Sequence, residues 1–137
     1  MDAYGADVEN TFDDMDSIPQ GAKVSVVTIR AGKRIDSIAF TLGSQILEHG
    51  GTGGELSSFP IDPTDYVKNV RVCWGEARGS TRIFLAGITT HGKRVFTVGT
   101  ETDKCAEYST DEGYGIVGTF GKAGDEVDRL GFLSIKQ

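Results

Sequence analysis

The chain is 137 residues long, a length that fits one domain with a single sizeable core. Its net charge of -6 argues against nucleic acid and anionic membrane surfaces as partners. Nineteen residues are glycine, about twice the usual share, whereas only 3 are proline and 38% are apolar. Because a disordered low-complexity chain has far fewer apolar residues, we expect the glycines to mark turns or close approaches of the backbone.

Taken in chain order, the sequence contains seven short segments rich in Val, Ile, Phe and Thr, and no sustained helical apolar face. Gly, Asp, Pro or His-Gly bounds each segment, as is typical of strands that end in turns. The predicted strands cover residues 23–30, 35–42, 66–74, 82–89, 94–99, 115–120 and 127–135. Many short strands with polar turns indicate an all-β sandwich, barrel or prism. No apolar segment approaches the roughly 18 residues of a membrane span.

An internal repeat organises these strands. Segments 32–38, 79–85 and 124–130 align without gaps, and their leading glycines lie 47 and 45 residues apart. Three such units are each too small to bury a core alone and would bury one jointly. The sequence therefore predicts a single domain over residues 1–137 with pseudo-three-fold symmetry. The N-terminal segment completes the third unit, and residues 1–11 are expected to form an N-terminal loop.

The first and third copies of the repeat read Gly-x-x-x-Asp and end at Asp36 and Asp128, whereas the second has Ile83 at the aspartate position. A glycine-led turn exposes successive backbone N–H groups, and the aspartate adds a fixed acceptor suited to two vicinal sugar hydroxyls. The alternative is an aspartate that caps its own turn, which is less favoured for two equivalent copies than for an isolated one. The glycine cluster at 49–54 lacks the Lys-Ser/Thr of a phosphate loop and indicates a turn that lets a ligand approach the backbone.

Candidate catalytic and metal-binding groups are less convincing. His49 and His91 each precede a glycine at a predicted hairpin tip, which is typical of solvated side chains. The aspartates within 13–16 lack the spacing of a calcium loop and are interpreted as turn carboxylates. The acidic residues within 125–128 lack an indicated partner acid for glycoside hydrolysis. The sequence thus predicts no enzyme, no metal and no cofactor.

Neither the cysteines nor the first residues indicate a secretory route. Cys73 lies in an apolar alternation and Cys105 in a polar loop, so one buried and one exposed free thiol are favoured over a bridge between them. Residues 1–7 are acidic where a secretory signal would be basic and then apolar. We therefore expect a cytoplasmic or unconventionally secreted protein, or one cut from a precursor.

Four segments together resemble a jacalin-related lectin domain, and the similarity extends from about residue 12 to residue 135. They are Phe-Asp-Asp at 12–14, the glycine cluster at 49–54, Ile-Val-Gly-Thr-Phe-Gly at 116–121 and, most specific, Gly-Asp-Glu-Val-Asp-Arg-Leu-Gly at 124–131. The resemblance implies a β-prism I fold, in which three four-stranded Greek-key sheets surround a pseudo-three-fold axis. It also implies metal-independent, non-catalytic carbohydrate binding.

The resemblance places the main carbohydrate site on the third-repeat loop, at Gly124, Asp125, Glu126 and Asp128. The N–H groups of Asp125 and Glu126 are expected to donate to sugar oxygens, and the Asp128 carboxylate to accept from two hydroxyls. The family usually has a glycine three residues before its Phe-Asp-Asp motif, on the opposite wall of the site. Here that position is Glu9, and Gly5 is assigned the role of the missing glycine.

A second carbohydrate site is implied on the first-repeat loop, at Lys33, Arg34 and Asp36, facing Gly53 and Gly54. Galactose-preferring members are cut to free an N-terminal glycine, whereas an uncut chain is similar to the mannose/glucose group. The expected partner is therefore a mannose- or glucose-type mono- or oligosaccharide, with a homodimer as one source of useful affinity. The alternative function is a protein-interaction module of the same fold that has lost sugar binding, which Glu9 and the degenerate second repeat motivate.

Overall fold

The computed structural model describes residues 4–5 and 11–137, and within them the chain forms twelve strands and one short 3-10 turn, Met15–Ser17. The strands are β1 (Tyr4–Gly5), β2 (Thr11–Asp13), β3 (Val26–Ala31), β4 (Ile35–Leu42), β5 (Gln45–Gly50), β6 (Glu55–Pro60), β7 (Val67–Ala77), β8 (Ser80–Thr90), β9 (Val95–Gly99), β10 (Lys104–Ser109), β11 (Tyr114–Ala123) and β12 (Val127–Lys136). In the part of the chain so described, no helix is long and apolar enough to cross a membrane.

The strands form three antiparallel four-stranded sheets, in the orders β5-β4-β3-β6, β10-β7-β8-β9 and β1-β12-β11-β2. In each sheet one long hairpin occupies the centre, and the last strand of the unit returns to lie beside the first, which is a Greek-key connection. The third sheet contains β1 and β2, so the N-terminal segment completes the last unit as predicted. This is the expected β-prism, with the difference that Tyr4–Gly5 forms a strand within the predicted N-terminal loop.

The sequence predicted the central strands better than the edge strands. Every predicted segment overlaps a strand of a central hairpin or β9, and β4 has the predicted bounds. The strands β5, β6 and β10 were missed because they lie at sheet edges and each contains at most one buried side chain. An edge strand buries little of one face, so it lacks the dense apolar alternation by which central strands are identified.

The core lies between the three sheets and is made of the inward side chains of the central hairpins. Ile35, Ile83 and Val127 are all fully buried, and each begins or nearly begins the second strand of its hairpin. Complete burial of such an aliphatic side chain contributes about 1.5–3 kcal/mol. The three side chains therefore hold the three hairpins together around one axis.

The hairpin ends correct the ungapped repeat alignment. Ala31 pairs with Ile35 and Ala123 with Val127, each across a three-residue loop, whereas the corresponding pair in the second sheet is Trp74 with Ile83. There the hairpin continues to a two-residue turn at Arg78–Gly79, where both residues have positive φ. The residue that follows Ile83 is Phe84, so Phe84, not Ile83, stands at the aspartate position of the second repeat.

Candidate functional site

The first-repeat loop, residues 32–34, closes the β3–β4 hairpin. The Gly32 N–H donates to the Arg34 carbonyl oxygen at 3.1 Å, and among the described residues the N–H groups of Lys33 and Arg34 meet no backbone acceptor. Ile35 then anchors the start of β4 in the core. Because successive strand residues point to opposite faces, the next side chain, that of Asp36, emerges beside the loop and is half-buried.

The glycine turn at residues 50–54, between β5 and β6, covers the Asp36 carboxylate. The Gly51 N–H donates to the Asp36 carbonyl oxygen at 2.8 Å. A β-carbon on Gly53 would lie 3.0 Å from Asp36 Oδ1, and Gly54 adopts a φ of 71° that favours glycine. The carboxylate thus faces bare backbone. All five residues predicted for the second carbohydrate site lie together here, namely Lys33, Arg34, Asp36, Gly53 and Gly54.

The third-repeat loop, residues 124–126, has the same backbone geometry in the β11–β12 hairpin. The Gly124 N–H donates to the Glu126 carbonyl oxygen at 3.0 Å. The Asp125 side chain is exposed, but Glu126 and Asp128 are each only 6% exposed. The predicted main-site residues on this loop are therefore adjacent. The Glu126 and Asp128 carboxylates are buried, whereas the Asp36 carboxylate is only half-buried.

Two arginines from the other repeats pair with these carboxylates. Arg34 donates from Nε to Glu126 Oε1 at 2.6 Å and from Nη2 to Oε2 at 3.2 Å, and Arg82 Nη1 donates to Asp128 Oδ1. The guanidinium of Arg34, a residue predicted for the second carbohydrate site, is thus hydrogen-bonded to the Glu126 carboxylate. The backbone N–H of Arg34 is unaffected by this pairing.

The first and third loops also touch through their backbones. A β-carbon on Gly51 would fall well inside van der Waals contact with the Asp125 carbonyl oxygen. This position has no positive φ, so the requirement for glycine is one of space. The glycine turn thus lies between the Asp36 carboxylate and the third-repeat loop and contacts both.

Comparison with known proteins identifies this arrangement. The family described as the Jacalin-like lectin domain matches residues 1–133. The chain belongs to this family. It is a lectin family rather than an enzyme family, in agreement with the absence of a predicted catalytic group.

Among curated relatives, this jacalin-like domain is similar to horcolin from Hordeum vulgare, with 28% identity over 130 residues that cover 90% of this chain and 89% of horcolin. Among solved structures it is similar to Malaysian banana lectin, with a TM-score of 0.85, 22% identity, and coverage of 100% of this chain and 97% of the other. The mannose-binding jacalin-related lectin AcmJRL from Ananas comosus superposes with a TM-score of 0.81 at 16% identity, over 100% of this chain and 96% of its own. These structural likenesses establish the fold.

The charges of the jacalin-like domain act differently on its two loops. Burial raises the pKa of Asp36 above its ordinary value, and the nearby Glu126 charge raises it further, against the opposing effects of Arg34 and Arg78. The hydrogen bonds from Arg34 hold the pKa of Glu126 below its ordinary value, although burial acts in the opposite direction. The pKa of Asp36 is thus shifted towards neutral pH and that of Glu126 away from it, which keeps Glu126 a carboxylate at neutral pH.

Gly5 occupies the position that the three-fold symmetry assigns to an edge glycine. It pairs with Arg129, as Gly50 pairs with Ser37 and Gly99 with Leu85 in the other sheets. In the first sheet the N–H of the next residue, Gly51, donates to the carbonyl oxygen of Asp36. In the second sheet the N–H of Thr100 donates in the same way to the carbonyl oxygen of Phe84. Gly5 therefore lies at the edge of the third sheet beside β12. Glu9 lies outside the described residues.

No sequence pattern indicated the role of Arg82, which lies 46 residues from Asp128. His49 was also misassigned, since it is not a solvated tip residue. His49 Nε2 lies 2.6 Å from Oδ1 of the buried Asp14, and its ring stacks on Phe12 at 3.8 Å between centroids. These contacts join β5 of the first sheet to β2 of the third, next to the glycine turn.

The free-thiol interpretation of the cysteines is wrong as well. Cys73 on β7 faces Cys105 on β10 in register, with their Cα atoms 4.0 Å apart, and the two form a disulfide. Cys105 lies in a strand, not in a loop, because β10 was among the missed edge strands. The bridge fastens this edge strand to the centre of the second sheet.

Two aspartates near the N-terminus accept hydrogen bonds from backbone N–H groups, one local and one on another strand. Asp13 Oδ1 accepts from the Met15 N–H at 2.9 Å, and Asp14 Oδ2 accepts from the Thr119 N–H at 3.1 Å. Asp13 agrees with the interpretation of a turn carboxylate, whereas that interpretation is wrong for Asp14, whose buried side chain binds β11 and His49. Across residues 11–137, no cluster of three or more His, Cys, Asp or Glu side chains is arranged to hold a metal ion.

Proposed function

We propose that this jacalin-like domain binds a mannose- or glucose-type sugar at the first-repeat loop. The observation that carries the proposal is the half-buried Asp36 carboxylate, which faces the bare backbone of Gly53 and Gly54. Beside it lie the N–H groups of Lys33 and Arg34, which meet no backbone acceptor within the described part of the chain. These groups are what a pyranose needs: one ionised acceptor for two hydroxyls, donors for its oxygens, and no side chain between them.

The family supports a lectin function, and two structural neighbours support the choice of sugar. AcmJRL is a mannose-binding lectin, and the artocarpin structure, which matches with a TM-score of 0.81 at 18% identity over 98% of this chain and 95% of its own, contains mannotriose. A mannose-type ligand at Asp36 is consistent with both. Since a single shallow site binds weakly, we further propose that useful affinity comes from a homodimer or from multivalent glycans.

Thermal unfolding in the presence of sugars tests the proposal. A ligand that binds only the folded state stabilises it by about 2.7 kcal/mol at 100 times its Kd. We expect mannose or methyl-mannoside at tens of millimolar to raise the melting temperature, and galactose at the same concentration to leave it unchanged. A glycan array then defines the oligosaccharide. Absence of any shift with mannose and glucose, together with no binding on the array, would favour the protein-interaction module instead.

A further inference from the structure

The aspartates of the first and third loops stand at equivalent positions but in different surroundings. Asp36 follows the buried Ile35, and Asp128 follows the buried Val127, each after a three-residue loop of the same geometry. The Asp36 carboxylate faces glycine backbone, whereas the Asp128 side chain is 9% exposed and receives the Arg82 guanidinium on Oδ1.

Arg82 reaches Asp128 because of its place in the second hairpin. It directly precedes Ile83, as Arg34 precedes Ile35 and Glu126 precedes Val127, so the three side chains start from equivalent positions around the axis. Their charges are complementary, with two arginines and one glutamate. Arg34 forms an ion pair with Glu126, and Arg82 forms one with Asp128, the next carboxylate along the chain. The third hairpin thus holds one arginine from each of the other two.

We propose that the Arg82 guanidinium, by binding Asp128, takes the place of a sugar at the third-repeat loop. This loop is then closed to sugar, and the domain has one carbohydrate site, at Asp36. The inference rests on the proposed function. A sugar at the third loop needs the Asp128 carboxylate as acceptor for two hydroxyls. It would have to replace an ion pair by hydrogen bonds from uncharged hydroxyls and leave a largely buried guanidinium unpaired, which is unfavourable for a weakly held ligand.

Titration of the isotopically labelled chain with mannose tests this directly. We expect one site per chain by calorimetry, with amide shifts confined to the first-repeat loop and the glycine turn, at Lys33, Arg34 and Gly53. The amides of Asp125 and Glu126 should stay unshifted. A stoichiometry of two, or shifts at Asp125 and Glu126 that saturate with the others, would overturn the inference while leaving sugar binding intact. Absence of shifts at both loops would overturn the proposed function itself.

Two variants of the second hairpin test whether the Arg82 charge itself closes the third-repeat loop. Arg82→Gln removes the internal charge and is expected to raise the stoichiometry from one towards two, with new shifts at Asp125 and Glu126. Arg78→Gln, an exposed position on the same hairpin, should leave it at one. A stoichiometry that stays at one in folded Arg82→Gln would show that another group closes the loop and would overturn the assignment. If Arg82→Gln does not fold, the amide shifts of the wild-type chain at Asp125 and Glu126 still show whether the third-repeat loop binds sugar.

Discussion

The Arg34 guanidinium and the Glu126 carboxylate meet side by side, with hydrogen bonds of 2.6 and 3.2 Å, across 92 residues of sequence. The Glu126 side chain is 8% exposed and that of Arg34 is 24% exposed, so water competes weakly for this pair. It fastens the first-repeat loop to the third and holds the loop that carries the proposed sugar donors. Loop position in this domain therefore depends on a contact between repeats.

Replacement of Glu126 by glutamine should destabilise the fold. Because a hydrogen bond to a charged group contributes about 1.5–3 kcal/mol, we expect Glu126→Gln to lower the free energy of unfolding by that order. The matched control is Glu101→Gln, which breaks the exposed Arg71–Glu101 pair, where Glu101 is 66% exposed, and should change the stability by less than about 1 kcal/mol. Denaturant titrations measure both, and equal losses in the two variants would contradict the account.

The same pair gives a pH dependence whose sign follows from the depressed pKa of Glu126. Its ionised form is favoured by folding, so the contribution is complete above the ordinary pKa of about 4.5 and disappears as the pH falls through the lower folded-state pKa. The difference in unfolding free energy between wild type and Glu126→Gln should therefore shrink on acidification from pH 7 to pH 3. A difference that stays constant or grows would be inconsistent with an ion pair.

Replacement of Gly51 by alanine should destabilise the fold, because the position has no room for a methyl group. A β-carbon there meets the Asp125 carbonyl oxygen, and overpacking of this kind costs about 1–3 kcal/mol. Gly32→Ala is the matched control, because a β-carbon at Gly32 meets nothing within 4 Å and the residue has no positive φ. We expect the melting temperature to fall for Gly51→Ala only, and a Gly51→Ala chain as stable as wild type would refute the close contact of the two loops.

Sugar affinity should depend on the protonation of Asp36. Its pKa is raised mainly by burial and then by Glu126. The ionised form is the stronger acceptor for two hydroxyls, because protonation turns one carboxylate oxygen into a donor. Affinity is therefore expected to be constant at neutral pH and to fall as the pH drops through a pKa above the ordinary 3.8. Mannose titrations between pH 7 and pH 4 measure the profile. An affinity that rises on acidification would exclude Asp36 as the acceptor.

Local sequence patterns contained the repeat, the central strands and the residues of the first-repeat site. These features were predictable because a loop, the buried residue after it and the aspartate that follows are set within a few positions of the chain. Glycines at 50–54 could be assigned to the same site only through the resemblance, since the turn meets Asp36 across the sheet.

Contacts between repeats were not predictable from such patterns. Arg82 and Asp128 are separated by 46 residues, and nothing local distinguishes this arginine from a solvated one. The extended second hairpin hid the true counterpart of Asp36, because an ungapped alignment placed Ile83 where Phe84 belongs. Cys105 was assigned to a loop because its polar edge strand carries little apolar alternation. The contact between Arg82 and Asp128 is set by how the sheets meet, whereas the other two features depend on strand pairing within the second sheet.

Calorimetric titration of mannose into wild type, Asp36→Asn and Asp103→Asn tests the central claim most directly. Asp103 is an exposed aspartate of the second repeat and serves as the control for loss of one charge. We expect wild type and Asp103→Asn to bind alike, and Asp36→Asn to lose about tenfold or more in affinity while its melting temperature stays near that of wild type. Unchanged mannose binding by folded Asp36→Asn would contradict the assignment of sugar recognition to the first-repeat loop.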